Sequence, residues 1–273
     1  MAIITISREL AALGDETAHE LAKQLNYRFI DKQTLEDRIR SWGLIGSKLE
    51  KYDERKPSFW ASLSQDRDDY VHFLRSAVYT EAAQGSCIFI GRGASIVLGD
   101  VPGVVTLFLV APQTIRVERV RSYFQCDEKR ARQIIDQSDH DRSGFHRYFF
   151  DMEWKDPGNY HLSLNTGCLH PAACVDIVKI FMGHNITGDV EARGLQRISE
   201  LTLAQQVKHY IIYEKEIPIH FLEASVSGNA ITLYGVASSQ SLIETALTVA
   251  REVSGSAQVQ SEIQVIQEYN ILH

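Results

Sequence analysis

The sequence predicts an α/β protein: a five-stranded parallel sheet covered by helices, followed by a second, small α+β module. Three observations predict it. Over about the first 180 residues, short runs rich in β-formers alternate with helical repeats, as they do where parallel strands are joined by helical crossovers. A hydrophobic share of 44% in 273 residues supplies one domain of middling size and a small one. After Met182 both periodicities give way to turn formers and then resume. The expected organisation is a first domain over 1–182, a linker over 183–199 and a second domain over 200–273.

The first strand is Ile3–Ile6, a short apolar run. A helix from Thr17 to Leu25 follows it, with Ala18, Leu21, Ala22 and Leu25 at helical spacing. Tyr27–Ile30 is the second strand, and Asp31 at its end is placed to cap the helix that begins near Lys32. Tyr70, Phe73, Leu74, Ala77 and Val78 form the stripe of another helix. The remaining strands are Cys87–Gly91, Val104–Ala111 and Tyr160–Asn165. In the second module, Leu203, Val207, Tyr210 and Ile211 mark one helix and Leu242, Ala246, Val249 and Ala250 another. Its strands are Phe221–Val226, Ala230–Tyr234 and Gln258–Ile266, with a hairpin turn at Ser227-Gly228-Asn229.

Composition excludes several classes. The net charge of -7 and pI near 5.8 disfavour nucleic-acid or anionic-membrane binding driven by global charge, so a polyanion would have to be met locally. No window approaches the roughly 18 apolar residues of a membrane span, and the amino terminus lacks the pattern of an export signal; the expected compartment is the cytoplasm. Cys87, Cys126, Cys168 and Cys174 show no metal or disulfide spacing and read as reduced thiols; no metal site is expected. No serine–histidine–acid order or paired glycosidase carboxylates support a hydrolase.

Between the first strand and its helix lies Ser7-Arg8-Glu9-Leu10-Ala11-Ala12-Leu13-Gly14-Asp15-Glu16. A strand, a turn and a helix N-terminus make an anion site, because free amides and the positive end of the helix dipole converge there. One glycine remains in this turn, and Asp15 occupies the place of the usual phosphate-loop lysine, two before Thr17. A carboxylate about 4 Å from a phosphate charge costs roughly 4 kcal/mol at an effective dielectric of about 20. Gly91-Arg92-Gly93-Ala94 follows a strand and so falls at the carboxyl edge of the sheet, where open α/β folds bind ligands and where a guanidinium can hold a phosphate bidentately. From Gln113 to Arg147 the chain carries seven arginines and a lysine against six carboxylates, a local excess of positive charge in an acidic protein.

These blocks together resemble the cytidylate kinase-like family of P-loop kinases: Ile4-Thr5-Ile6-Ser7-Arg8-Glu9, Tyr27-Arg28-Phe29-Ile30-Asp31-Lys32, Lys56-Pro57-Ser58-Phe59, Ile90-Gly91-Arg92-Gly93-Ala94, Asp139-His140-Asp141-Arg142, and Asn159-Tyr160-His161-Leu162 with Asn165-Thr166. The resemblance implies a nucleoside monophosphate kinase fold with a donor loop, a monophosphate-binding region and an arginine-bearing lid. It implies a donor site at Ser7, Arg8, Gly14 and Thr17, and substrate binding by Arg92, Gly91, Gly93 and Asp139. Arg119 and Arg142, with Arg116 on the same helical face as Arg119, are the candidates to neutralise a transferred phosphoryl group. Asp139 is placed to orient Arg142 or contact the acceptor base. Lys56–Phe59 falls where the family binds its acceptor, although Phe59, Trp60 and Leu63 also read as packing. His161, where the family commonly has aspartate, reads as structural.

The family's loop resembles a Gly-Ser-Gly-Gly run followed by a basic residue; here it is Ala11-Ala12-Leu13-Gly14 and Asp15. Two readings therefore stand: a phosphotransferase using ATP and Mg²⁺ on a nucleoside monophosphate, or a non-catalytic sensor or scaffold for a nucleotide or other phosphorylated small molecule. The second module resembles a BON domain through Val226–Gly235 and Ala250–Gly255 with Val259. Such domains are described as ligand- or lipid-associating, which favours a sensing or assembly role. An edge strand in so small a module also offers a route to a homo-oligomer.

Overall fold

The computed structural model describes residues 2–43, 64–255 and 257–266, so the Lys56–Phe59 block lies outside the described residues. The chain divides into two compact units, residues 1–195 and 196–273.

In the first unit, β1 (Ile3–Arg8), β2 (Arg28–Ile30), β3 (Cys87–Ile90), β4 (Val104–Val110) and β5 (Leu162–Asn165) form one sheet in the order β2-β3-β1-β4-β5. Every pairing is parallel. β1 lies at the centre, which is why Ile3, Ile4, Thr5 and Ile6 are all buried and read as a continuous apolar run. Helices α1 (Gly14–Leu25), α2 (Lys32–Ser41), α3 (Ser64–Ala82) and α4 (Ala94–Val97) belong to the first half. α5 (Gln113–Phe124) and α6 (Glu128–Phe150) connect β4 to β5, and α7 (Pro171–Asn185) follows β5. Ile4, Ile6, Ile88, Leu107 and Leu109 pack with Ala18 and Leu21 of α1 and Val175 and Val178 of α7. Each such aliphatic side chain contributes about 1.5–3 kcal/mol on burial.

Local chemistry sets the ends of these elements. Asp31 caps α2 as expected, its Oδ1 accepting from Thr34 N at 2.8 Å. Asp127 caps α6 in the same way at Arg130 N, 2.7 Å. The structural reading of His161 also holds: its Nδ1 accepts from Thr106 N at 3.0 Å, which makes Nε2 the protonated nitrogen.

Residues 183–199, expected to be a linker, are helical except for Ile186 and Thr187. α7 runs to Asn185, and α8 (Gly188–His209) starts three residues later. The turn formers mark this short break, where Thr187 Oγ1 accepts from Val190 N at 3.4 Å. The boundary between the units falls within α8.

The second unit contains β6 (His220–Ser227), β7 (Ala230–Ala237), α9 (Gln240–Ser254) and β8 (Gln258–Val265), with strand order β6-β7-β8. Ser227 pairs with Ala230, so Gly228-Asn229 is the expected tight hairpin, with Gly228 at φ 57°. β7 and β8 are parallel and joined through α9. Val207, Ile211, Ile231, Leu233, Ile243 and Ala246 form its core. Among the described residues no helix is long and apolar enough to cross a membrane.

Candidate functional site

The loop after β1 is held in place through its backbone carbonyls. Ala11 and Leu13 stand in the left-handed region, at φ 61° and 53°. For residues with a Cβ this costs roughly 1–2 kcal/mol each, so other contacts must impose it. Those contacts come from the lid and the sheet. Arg119 Nη1 donates to Ala11 O at 2.9 Å, and Thr166 Oγ1 donates to Ala12 O at 3.0 Å. Thr17 Oγ1 donates to Leu13 O at 2.7 Å, and Leu10 N donates to Asp139 Oδ1 at 3.1 Å. Leu10 and Ala11 also pack against Val117, Val120, Ala131 and Ile135 of α5 and α6. Gly14 is required beside this turn, because a Cβ there would overlap the Arg8 side chain.

A buried charge cluster completes the lock. Arg116 Nη1 donates to Asp139 Oδ2 at 2.7 Å, and its Nε lies 3.5 Å from Glu9 Oε2. Lys155 Nζ reaches both Glu9 (3.2 Å) and Asp139 (3.4 Å). Arg142 Nη1 stands 3.8 Å from Asp139 Oδ1. Arg116 and Asp139 are only 6% exposed, so each depends on its partner for solvation.

Beside this lock, at the carboxyl edge of the sheet, lies a cleft of about 540 Å³ walled by β1, β3, α1, α2 and α6. Four cations line it, Arg8, Lys32, Arg92 and Arg142, together with four carboxylates, Asp15, Asp31, Glu36 and Asp141. Arg92 is held by the turn after β3, where Gly91, Arg92 and Gly93 all have positive φ (71°, 55° and 68°). The turn buries Arg92 to 4% exposure and lets Nη2 donate to Glu36 Oε1 at 2.9 Å. Lys32 Nζ is 3.6 Å from the same carboxyl oxygen. Arg8 Nη2 is 3.6 Å from Asp15 Oδ1, a carboxylate 65% exposed. The His19 and Phe29 rings, with centroids 4.4 Å apart, form part of the wall.

The residues singled out from the sequence thus separate. Arg8, Gly91, Arg92 and Arg142 come together on the cleft. Arg116, Arg119 and Asp139 are engaged in the lid–loop lock, and Gly14 and Thr17 shape the entry to α1. Ser7 is buried with its Oγ 3.3 Å from Ser95 Oγ, and Gly93 gives close approach to the Phe150 ring. Sequence reasoning missed Lys32, Glu36, His19 and Asp141 as wall residues. Lys32 and Glu36 at i, i+4 in the first turns of α2 were the available signal.

The charge at this loop disfavours a triphosphate. Its remaining cation, Arg8, faces Asp15, and the buried Thr17 hydroxyl donates its proton to Leu13 O. Among the described residues no group of three or more His, Cys, Asp or Glu is arranged to hold a metal ion.

A five-stranded parallel sheet in this order with flanking helices is like that of the P-loop kinases. Residues 3–167 match the cytidylate kinase-like family, and the chain belongs to that family. Residues 199–267 match the BON domain. An uncharacterized protein from Eubacterium ventriosum aligns at 19% identity and TM-score 0.53, covering 67% of this chain and 99% of the other. Shikimate kinase from Bacteroides thetaiotaomicron aligns at 16% identity and TM-score 0.42, over 67% and 98% of the two chains. A gluconokinase from Sinorhizobium meliloti gives 13% identity and TM-score 0.41, over 68% and 98%. No curated protein matches.

Proposed function

We propose that the first unit is a binding module for a phosphorylated small molecule, a nucleoside monophosphate, and that it does not transfer a phosphoryl group from ATP. The observation that carries this reading is the division of the arginines. Arg8, Arg92 and Arg142 converge on the cleft, while Arg116 and Arg119 donate to the loop and to Asp139. In this reading the ligand's phosphate takes the bidentate face of Arg92 in competition with Glu36, and Arg8 and Arg142 supply the remaining charge. The His19–Phe29 pair offers the base a stacking surface. A cleft of about 540 Å³ has the size of an ordinary small-ligand site.

No reaction step is assigned to the module. The BON match in the second unit supports a sensor or scaffold, in which nucleotide occupancy of one unit is read by a partner of the other. Calorimetry with each nucleoside monophosphate and with ATP–Mg²⁺, run beside an ADP-release assay, tests the reading. Binding of a monophosphate that Arg92→Ala abolishes, with no ADP release, supports it. Turnover above the Arg92→Ala background overturns it in favour of a phosphotransferase.

A further inference from the structure

The sheet of the second unit has two unlike edges. At β6 the register slips between His220 and Glu223, Phe221 sits at φ 54°, and Lys208 Nζ holds Glu223 at 2.7 Å. A bulge and a bridged charge are devices that blunt an edge against pairing. β8 has neither. It runs in unbroken register with β7 for eight residues, without proline, glycine or lysine, and Glu262 is its one charge.

The phase of its hydrogen bonds says what this edge, unpaired among the described residues, offers. Gln258 N donates to Asn229 O at 2.8 Å and Ile266 N to Ala237 O at 3.0 Å, so the even-numbered amides turn toward β7. The amides and carbonyls of Val259, Ser261, Ile263 and Val265 therefore point outward. The Ile263 amide is met there by the Ser261 hydroxyl at 3.1 Å. Gln258, Gln260, Glu262 and Gln264 are exposed on the polar face.

We propose that β8 pairs antiparallel with β8 of a second copy of this chain, across a two-fold axis at Ser261, joining two three-stranded sheets into one of six. An axis through an outward-facing residue lets facing residues exchange both backbone hydrogen bonds, and a small side chain at the axis leaves room for this. Val259 then lies opposite Ile263 of the copy on one face. On the other, each Glu262 lies opposite a neutral Gln260, which can donate to it. An axis at Glu262 fails twice, since its amides face inward and the two carboxylates would oppose each other.

Sedimentation velocity of the full chain across the micromolar range, with circular dichroism as the folding control, tests the pairing. The wild type is expected to show a concentration-dependent monomer–dimer equilibrium. Ser261→Pro removes an outward N–H and leaves the β7 ladder intact, and should raise the dimer Kd by about tenfold or more. Gln260→Glu sets like charges opposite Glu262 at two symmetric places and should weaken the dimer several-fold, most at low salt, whereas Gln260→Lys should preserve or tighten it. These exposed charge variants decide the matter if the proline variant fails to fold. A wild type that stays monomeric throughout overturns the proposal, as does a dimer indifferent to the charge at position 260.

Discussion

At Asp15, a carboxylate 65% exposed stands 3.6 Å from the Arg8 guanidinium at the mouth of the cleft. Against a bound phosphate about 4 Å away it costs between about 1 kcal/mol in water and about 4 kcal/mol at a dielectric of 20, and its exposure favours the lower figure. Asp15→Asn is therefore expected to tighten monophosphate binding by about fivefold to tenfold at low salt, with the gain shrinking as salt is added; an unchanged Kd by calorimetry would remove Asp15 from the account. The strained turn makes a second prediction at this scale. Ala11 holds φ 61°, so Ala11→Gly should stabilise the fold by up to about 1 kcal/mol, or about 2–4 °C in Tm, offset in part by the methyl contacts it loses. A fall in Tm on scanning calorimetry would show that packing against α5 and α6 outweighs the backbone strain. The loss of glycines and of a basic residue was legible in the sequence. That Arg119 and Thr166 hold the carbonyls of this loop was not, because they lie over 100 residues away and only the fold brings them together.

Among the elements, α2 and α3 are joined through Glu81, which is 3% exposed and accepts from Arg28 Nη1 at 2.7 Å and Arg38 Nε at 2.8 Å. Burial pushes its pKa up, but the two guanidinium hydrogen bonds outweigh that and hold it below the usual glutamate value. A lowered folded-state pKa means that the stabilisation is complete above the unfolded value of about 4.3 and is lost as pH falls through the folded one. Glu81→Gln should thus cost about 2 kcal/mol in urea unfolding at neutral pH, and the difference from wild type should narrow only below about pH 4. A difference that instead narrows between pH 7 and 5 would contradict the assignment. The α5–α6 charge cluster makes a parallel case: Asp139→Ala leaves Arg116 only Glu9 and the Leu10 carbonyl as partners and should cost about 1.5–3 kcal/mol, with the loop and α6 losing amide protection together in hydrogen exchange. The strands were readable to within a few residues because burial on both faces of the sheet imposes continuous apolar runs. The helical character of 183–199 escaped notice because the turn formers around Gly188 hid a break of only two residues.

For the whole molecule, the family and the two-unit organisation follow from blocks of sequence that the sheet order brings to one edge, whereas the roles of the arginines follow from packing alone. Spacing put Arg116 and Arg119 on one helical face without saying that the face turns toward the donor loop. In the proposed reading a monophosphate cleft persists beside a loop that no longer holds a triphosphate. Isothermal titration of the full chain with nucleoside monophosphates and with ATP–Mg²⁺, on wild type and Arg92→Ala, tests it most directly. The predicted result is saturable binding of a monophosphate, weakened at least tenfold by Arg92→Ala, with no ATP heat at concentrations where the monophosphate saturates. ATP–Mg²⁺ binding as tight as the monophosphate's, unaffected by the state of Arg92, would contradict it.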